Sequence, residues 1–158
     1  MTAPGLLLGL QAALTAMDGT PATKATAVVF YSTVCPVAND YNQRLALLWK
    51  EFGARRDVKF LVVYPNKTES LEEVRAHAAA MRFPFPVYRD DGNVLADRVG
   101  AHVTPTAAVL APGGTIRYLG PIDDAVNPAR VKKRYLRDAI RATLGGRAAQ
   151  AATQEPYG

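Results

Sequence analysis

The group with the most chemistry to offer in this 158-residue sequence is a thiol: Cys35 is its only cysteine, and His77 and His102 are its only histidines. A lone cysteine excludes an internal disulfide, and with two histidines it cannot complete a structural zinc site of the usual Cys/His kind. The expectation is no metal and no cofactor. Cys35 stands in Ser32-Thr33-Val34-Cys35-Pro36-Val37-Ala38, after an apolar run and before a helical periodicity. Pro36 then takes the first helical position, where its missing N–H costs nothing and its fixed φ suits the helix. Cys35 becomes the N-cap, with the free N–H groups of Val37 and Ala38 turned to its sulfur. The positive end of the helix dipole favours a thiolate there. The competing reading is a small buried hydrophobe, the common fate of a free cysteine. Strand end, helix start and proline together favour the reactive one. Val34, Pro36, Val37 and Ala38 are the candidate substrate-binding residues around it.

A second segment, Val103-Thr104-Pro105-Thr106, opens an apolar strand. A bond before proline adopts cis at a cost of only ~0.5–1 kcal/mol, whereas a trans proline would mark the start of an edge strand. From the residues alone both stand. His102 beside this segment reads as solvated or loop-anchoring in preference to a soft-metal partner of Cys35. His77 falls at the edge of a helix face and receives no role.

The elements that must position these residues alternate in period. Ala27–Ser32 and Val58–Tyr64 are continuous apolar runs, as buried parallel strands should be. Val37, Tyr41, Leu45, Leu48 and Phe52 recur at three and four, predicting one helix from Cys35-Pro36 to Phe52. Ser70-Leu71-Glu72-Glu73 is a capping box opening a helix whose buried face is Leu71, Val74, Ala78 and Met81. Pro86–Arg89 reads as a short strand, Asp90-Asp91-Gly92 as a turn, and Val94–Val99 as a short helix ending at Gly100. Thr106–Ala111 and Thr115–Leu119 form a hairpin around Pro112-Gly113-Gly114. A last helix spans Pro128 to Leu144, placing Arg130, Arg134, Arg137 and Arg141 on one solvated face. The order β-α-β-α, a short link, then β-β-α predicts a mixed α/β sheet of four to five strands with helices on both faces.

Together the two segments resemble the thioredoxin superfamily, and within it the bacterial redoxin or AhpC/TSA-like group. The resemblance covers about Ala25 to Leu144. Thr33-Val34-Cys35-Pro36-Val37-Ala38-Asn39-Asp40-Tyr41 is similar to the T-x-C-P-I-x-N-x-Y helix start of that group. Tyr64–Ser70 is similar to its Y-P-x-x-x-E-S segment, and Gly120-Pro121-Ile122-Asp123-Asp124 to its G-x-I-D-D segment. This implies a thioredoxin-like fold, a cis Pro105 facing Cys35, and a Thr104 backbone that aligns an extended substrate. The departures are specific. Ala38 stands where dithiol enzymes carry a second cysteine, and Val34 where a tryptophan often precedes the first. Asn39 replaces the second cysteine of copper-delivering relatives. The Pro, Thr and Arg of peroxidase sites meet Val28, Ser32 and Pro105. The implied function is a thiol redox protein in which Cys35 attacks disulfides or hydroperoxides and an external thiol resolves it. The alternatives are a non-catalytic binding module and, more weakly, a one-cysteine peroxidase. Expected partners are protein or small-molecule thiols and disulfides, with homo-oligomerisation left open.

Composition fits one soluble globular domain: 49% hydrophobic and 21% charged residues supply a core without staples. Residues 1–145 read as that domain, with 1–24 an N-terminal extension and 146–158 a flexible tail. No run approaches the ~18 apolar residues of a membrane span. Leu6–Met17 lacks a preceding basic region, so it reads as a strand or helix packed on the domain; a trimmed export signal is the alternative. The compartment stays undetermined. The formal charge of +5 sits largely near the C-terminus, but no aromatics interleave the arginines there, so nucleic acid is not an expected partner.

Overall fold

The apolar run after Lys24 forms β1, Ala25–Phe30, every residue of which is buried. The computed structural model describes residues 24–65, 67–149 and 155–156; the Leu6–Met17 stretch lies outside them. β1 pairs in parallel with β2, Val58–Tyr64. Beyond β2 lies β3, Val87–Arg89, also parallel. On its other side β1 pairs antiparallel with β4, Thr106–Leu110, which pairs antiparallel with β5, Ile116–Gly120. The five-stranded order β3-β2-β1-β4-β5 puts β1 at the centre of a mixed, thioredoxin-like α/β sheet.

Strand alternation divides the interior in two. Ala27, Val29 and Tyr31 join Phe60, Val62, Tyr64, Ala107 and Val109 on one face. Val28, Phe30, Leu61, Val63, Ala108 and Leu110 take the other. The first face is covered by α1, Pro36–Asn39, α2, Asn42–Phe52, α3, Leu71–Ala80, and α5, Tyr135–Leu144. The second is covered by α4, Val94–Val99, through Leu95, Ala96 and Val99. Gly100 ends α4 at φ 84°, a left-handed conformation that glycine adopts without strain.

Three expectations are corrected. The helix expected from Cys35 to Phe52 is two helices. Tyr41 N–H bonds the Ala38 carbonyl three residues back, at 3.0 Å, tightening the chain between α1 and α2. The completely buried Tyr41 hydroxyl reaches Asp123 there, and that anchor holds the bend. The last helix begins at Tyr135, not Pro128. Pro128–Arg130 is a single 3-10 turn, and the Lys132 and Lys133 N–H groups donate to Asp124 Oδ1 at 2.8 and 3.0 Å in place of helical carbonyls. Arg130 and Arg134 therefore leave the helical face, while Arg137 and Arg141 stay on it and both pair with Glu51. In α3 the capping box forms as expected, but Leu71 and Met81 are 40% and 46% exposed and Val74 alone is fully buried. The helix lies by the short β3 edge, where little apolar surface needs covering, and it turns His77 toward Tyr31 and Phe83. Of the 146–158 tail, residues 146–149 and 155–156 are described: Arg147 N–H bonds the Ala142 carbonyl at 2.8 Å and Ala149 packs on the core.

Candidate functional site around Cys35

Central β1 delivers the chain to buried Tyr31 and Ser32, and a turn at Thr33–Val34 then lifts it to the surface. Cys35 is the N-cap of α1, with extended backbone (φ −83°, ψ 112°) and Pro36 at the first helical position. Its half-buried sulfur receives the Ala38 N–H at 3.4 Å. Val37 makes no such bond among the described residues, because an N-cap side chain here reaches the third helical N–H and leaves the second free. On its other side Sγ lies 3.2 Å from the Thr104 carbonyl oxygen, to which the thiol donates. The Thr104–Pro105 peptide is cis, and β4 begins directly after it. The sulfur thus sits between a donor that suits a thiolate and an acceptor that holds a thiol proton.

The residues expected at the binding surface separate by exposure. Val34 is 73% exposed and Pro36 is also at the surface, so both form a rim beside the sulfur. Val37 is half-buried. Ala38 is wholly buried, so it offers the sulfur its N–H and cannot offer a substrate its side chain. A cleft of 390 Å³ opens beside Cys35, lined by Ser32, Pro65, His102, Val103 and Thr104. His102 is exposed in that cleft, whereas His77 lies behind the site. Ser32 Oγ accepts a long bond from Val34 N–H at 3.4 Å and so turns to its own loop. Among the described residues no group of three His, Cys, Asp or Glu side chains could hold a metal ion. No helix among them is long and apolar enough to cross a membrane.

A polar network that sequence reasoning missed holds the cysteine turn from below. Asn39 Nδ2 donates to the carbonyls of Thr33 and Cys35 at 3.1 and 3.0 Å. Its Oδ1 meets the Tyr31 hydroxyl and His77 Nε2, each at 2.9 Å. Tyr31 also hydrogen-bonds the Asn42 amide. Glu69, 4% exposed, accepts from the Thr33 N–H at 2.5 Å and from the Thr33 hydroxyl through the same oxygen. Burial pushes the Tyr31 and Tyr64 phenols far above their ordinary range. Burial also lowers the His77 imidazole, against an opposing pull from Glu69, and Nε2 is the ring nitrogen that faces the Asn39 amide oxygen. The sequence signal for this network was the place of Asn39 and Glu69 in the two resembling segments, Thr33 to Tyr41 and Tyr64 to Ser70.

A separate ion pair fixes the start of α2. Arg44 Nη1 lies 2.8 Å from Asp123 Oδ2, and its guanidinium sits 3.6 Å from the centre of the Tyr41 ring. Arg44 also donates to the Ala125 and Val126 carbonyls, tying the loop after β5 to the helix that follows the cysteine turn.

The family model described as AhpC/TSA family matches residues 10–119. Among solved structures, the chain is similar to an uncharacterized conserved protein of Geobacillus kaustophilus, at 24% identity over 84% of this chain and 72% of that one, TM-score 0.70. It is similar to a hypothetical protein of Sinorhizobium meliloti 1021, at 26% identity over 86% and 78%, TM-score 0.71. A secreted Mycobacterium tuberculosis disulfide oxidoreductase shares the fold at 14% identity over 78% and 83%, TM-score 0.53. A search of curated proteins found no match.

Proposed function

Because the chain belongs to the AhpC/TSA family and is a thioredoxin-superfamily redoxin, we propose that it is a thiol-dependent redox protein with Cys35 as its nucleophile. The observation that carries this reading is the half-buried sulfur at the α1 N-cap, held between the Ala38 N–H and the Thr104 carbonyl beside an open cleft. The Cys35 thiolate attacks one sulfur of a disulfide, forming a mixed disulfide and expelling the other sulfur as thiolate. With a hydroperoxide it takes the terminal oxygen, giving a sulfenic acid and an alcohol, and a thiol then converts the sulfenic acid to a mixed disulfide and water. In either case an external thiolate then attacks the mixed disulfide and releases Cys35, since buried Ala38 supplies no internal thiol. Ala38 N–H stabilises the sulfur anion each time it forms. Thr104 and Pro105 align an extended substrate, and Val34 and Pro36 supply the apolar rim. Disulfide oxidoreductases among the structural neighbours support the disulfide arm.

The test is the mass of native protein after exposure to oxidised glutathione or to hydrogen peroxide with a sulfenic-acid trap. One adduct on Cys35, absent in Cys35→Ser, is the expected result. A native thiol that reacts no faster than in denatured protein counts against the reading. That outcome would favour a binding module, for which the exposed Val34 and Val103 beside an unreactive cysteine supply the surface.

A further inference from the structure

The turn that carries Cys35 is held by the Asn39 backbone N–H on the Cys35 carbonyl and by two side chains from below. Asn39 is engaged on both sides of its amide: Nδ2 donates to the Thr33 and Cys35 carbonyls, and Oδ1 meets His77 Nε2 and the Tyr31 hydroxyl, whose single proton it shares with Asn42. Glu69 comes from the loop after β2, 36 residues away in sequence, and spends one oxygen on both the N–H and the hydroxyl of Thr33. Its second oxygen is buried with no hydrogen-bond partner among the described residues. Among the described residues, the hydrogen bonds that offset the burial of this carboxyl are those to Thr33. Between them the two side chains hold Thr33 N–H, Thr33 carbonyl and Cys35 carbonyl, three backbone groups within one short turn. That is also the turn that places Sγ against the Ala38 N–H.

We propose that Asn39 and Glu69 are positioning residues: a buried clamp that fixes the Thr33–Cys35 turn and thereby sets the reactivity of the Cys35 sulfur. The inference rests on the reading of Cys35 as the nucleophile and adds how that nucleophile is held. In a site with one thiol no partner cysteine ties the turn down, so rigidity has to come from side chains. Asn39 reaches the cysteine turn from one helical turn further on, and Glu69 reaches it from the loop that follows the neighbouring parallel strand β2. His77, which the mechanism does not otherwise use, acts at one further remove by orienting the Asn39 amide.

The test is the rate of Cys35 alkylation by iodoacetamide, measured across pH in native and denatured protein. Thr33→Val removes the hydroxyl held by Glu69, and Thr33→Ser keeps it. Asn39→Asp preserves shape but faces two carbonyl oxygens with a carboxylate. The clamp predicts that Thr33→Val and Asn39→Asp slow the native reaction about tenfold and displace its pH profile. Thr33→Ser should match the parent, and all denatured rates should coincide. Folded variants with the parental rate and profile overturn the clamp, even if their melting temperatures fall. So does a Thr33→Ser protein as slow as Thr33→Val. Should Asn39→Asp fail to fold, the Thr33 pair decides. A parent no faster native than denatured overturns the nucleophile reading itself, whereas a fast parent indifferent to the substitutions overturns the clamp alone.

Discussion

Ala38→Cys converts the site into Cys-x-x-Cys, and its outcome can be worked from the structure. Ala38 lies three residues after Cys35 and its N–H reaches the Cys35 sulfur, in a helical turn that puts Cα atoms about 5 Å apart. A disulfide needs Cα atoms within about 4.4–6.8 Å, so the turn can close without moving the backbone. Two terms then compete. Closing a loop of four residues removes about 2 kcal/mol of unfolded-state entropy. Adding a sulfur at a position with no exposed surface costs about 1–3 kcal/mol in overpacking. The reduced variant is therefore expected to be about 1–3 kcal/mol less stable than the parent, with oxidation returning about 2 kcal/mol of it. The assays are urea unfolding of oxidised and reduced protein, a free-thiol count after mild oxidation, and insulin reduction. The oxidised variant should show no free thiol, whereas the reduced variant should reduce an insulin disulfide by closing its own, a step the single-thiol parent completes only with added thiol. Two persisting free thiols under conditions that oxidise ordinary Cys-x-x-Cys proteins would refute the geometry, because the Cys35 sulfur would then not face the position-38 side.

Three further outcomes follow from the same contacts. Asp123→Ala strips the partly buried Arg44 of its carboxylate partner and the Tyr41 hydroxyl of one acceptor, so urea unfolding should show a loss of about 3 kcal/mol; a loss below about 1 kcal/mol would show the pair to be dispensable. His77 has its folded pKa lowered by burial, so the unfolded chain binds the proton first: its contribution is complete above about pH 6.5 and shrinks as pH falls below that value. Urea midpoints measured between neutral and mildly acidic pH should therefore decline more steeply for the parent than for His77→Gln, and parallel declines would contradict the assignment. Asp124 is held below its usual carboxylate range by the Lys132 and Lys133 N–H groups, so its stabilising contribution persists through that window and is lost only in stronger acid; Asp124→Ala should unfold at lower urea at neutral pH and converge on the parent as Asp124 protonates.

What the sequence determined by itself was local. A continuous β-branched and aromatic run can only be buried on both faces, and so β1 and β2 were legible as central strands. A proline directly after a cysteine at a strand end identifies an N-cap, and Ser70 with Glu73 identifies a capping box, because both depend on chain neighbours alone. What only the tertiary structure decided was where periodic segments stop and which polar groups meet. The pattern from Val37 to Phe52 is helical throughout, yet it bends at Tyr41 because a carboxylate 82 residues later captures that hydroxyl. The basic periodicity from Arg130 to Arg141 is equally helical, yet Asp124 takes the N–H groups that its first turn would need. His77 looked like the margin of a helix face until α3 was laid against the sheet, which turned it toward Asn39. Glu69 was legible only as the acidic residue of the Tyr64–Ser70 segment, since nothing in its neighbours shows that its carboxylate ends under Thr33. Hydrogen bonds between residues far apart in the chain have no period and no spacing, so their partners exist only once the sheet has brought the loops together.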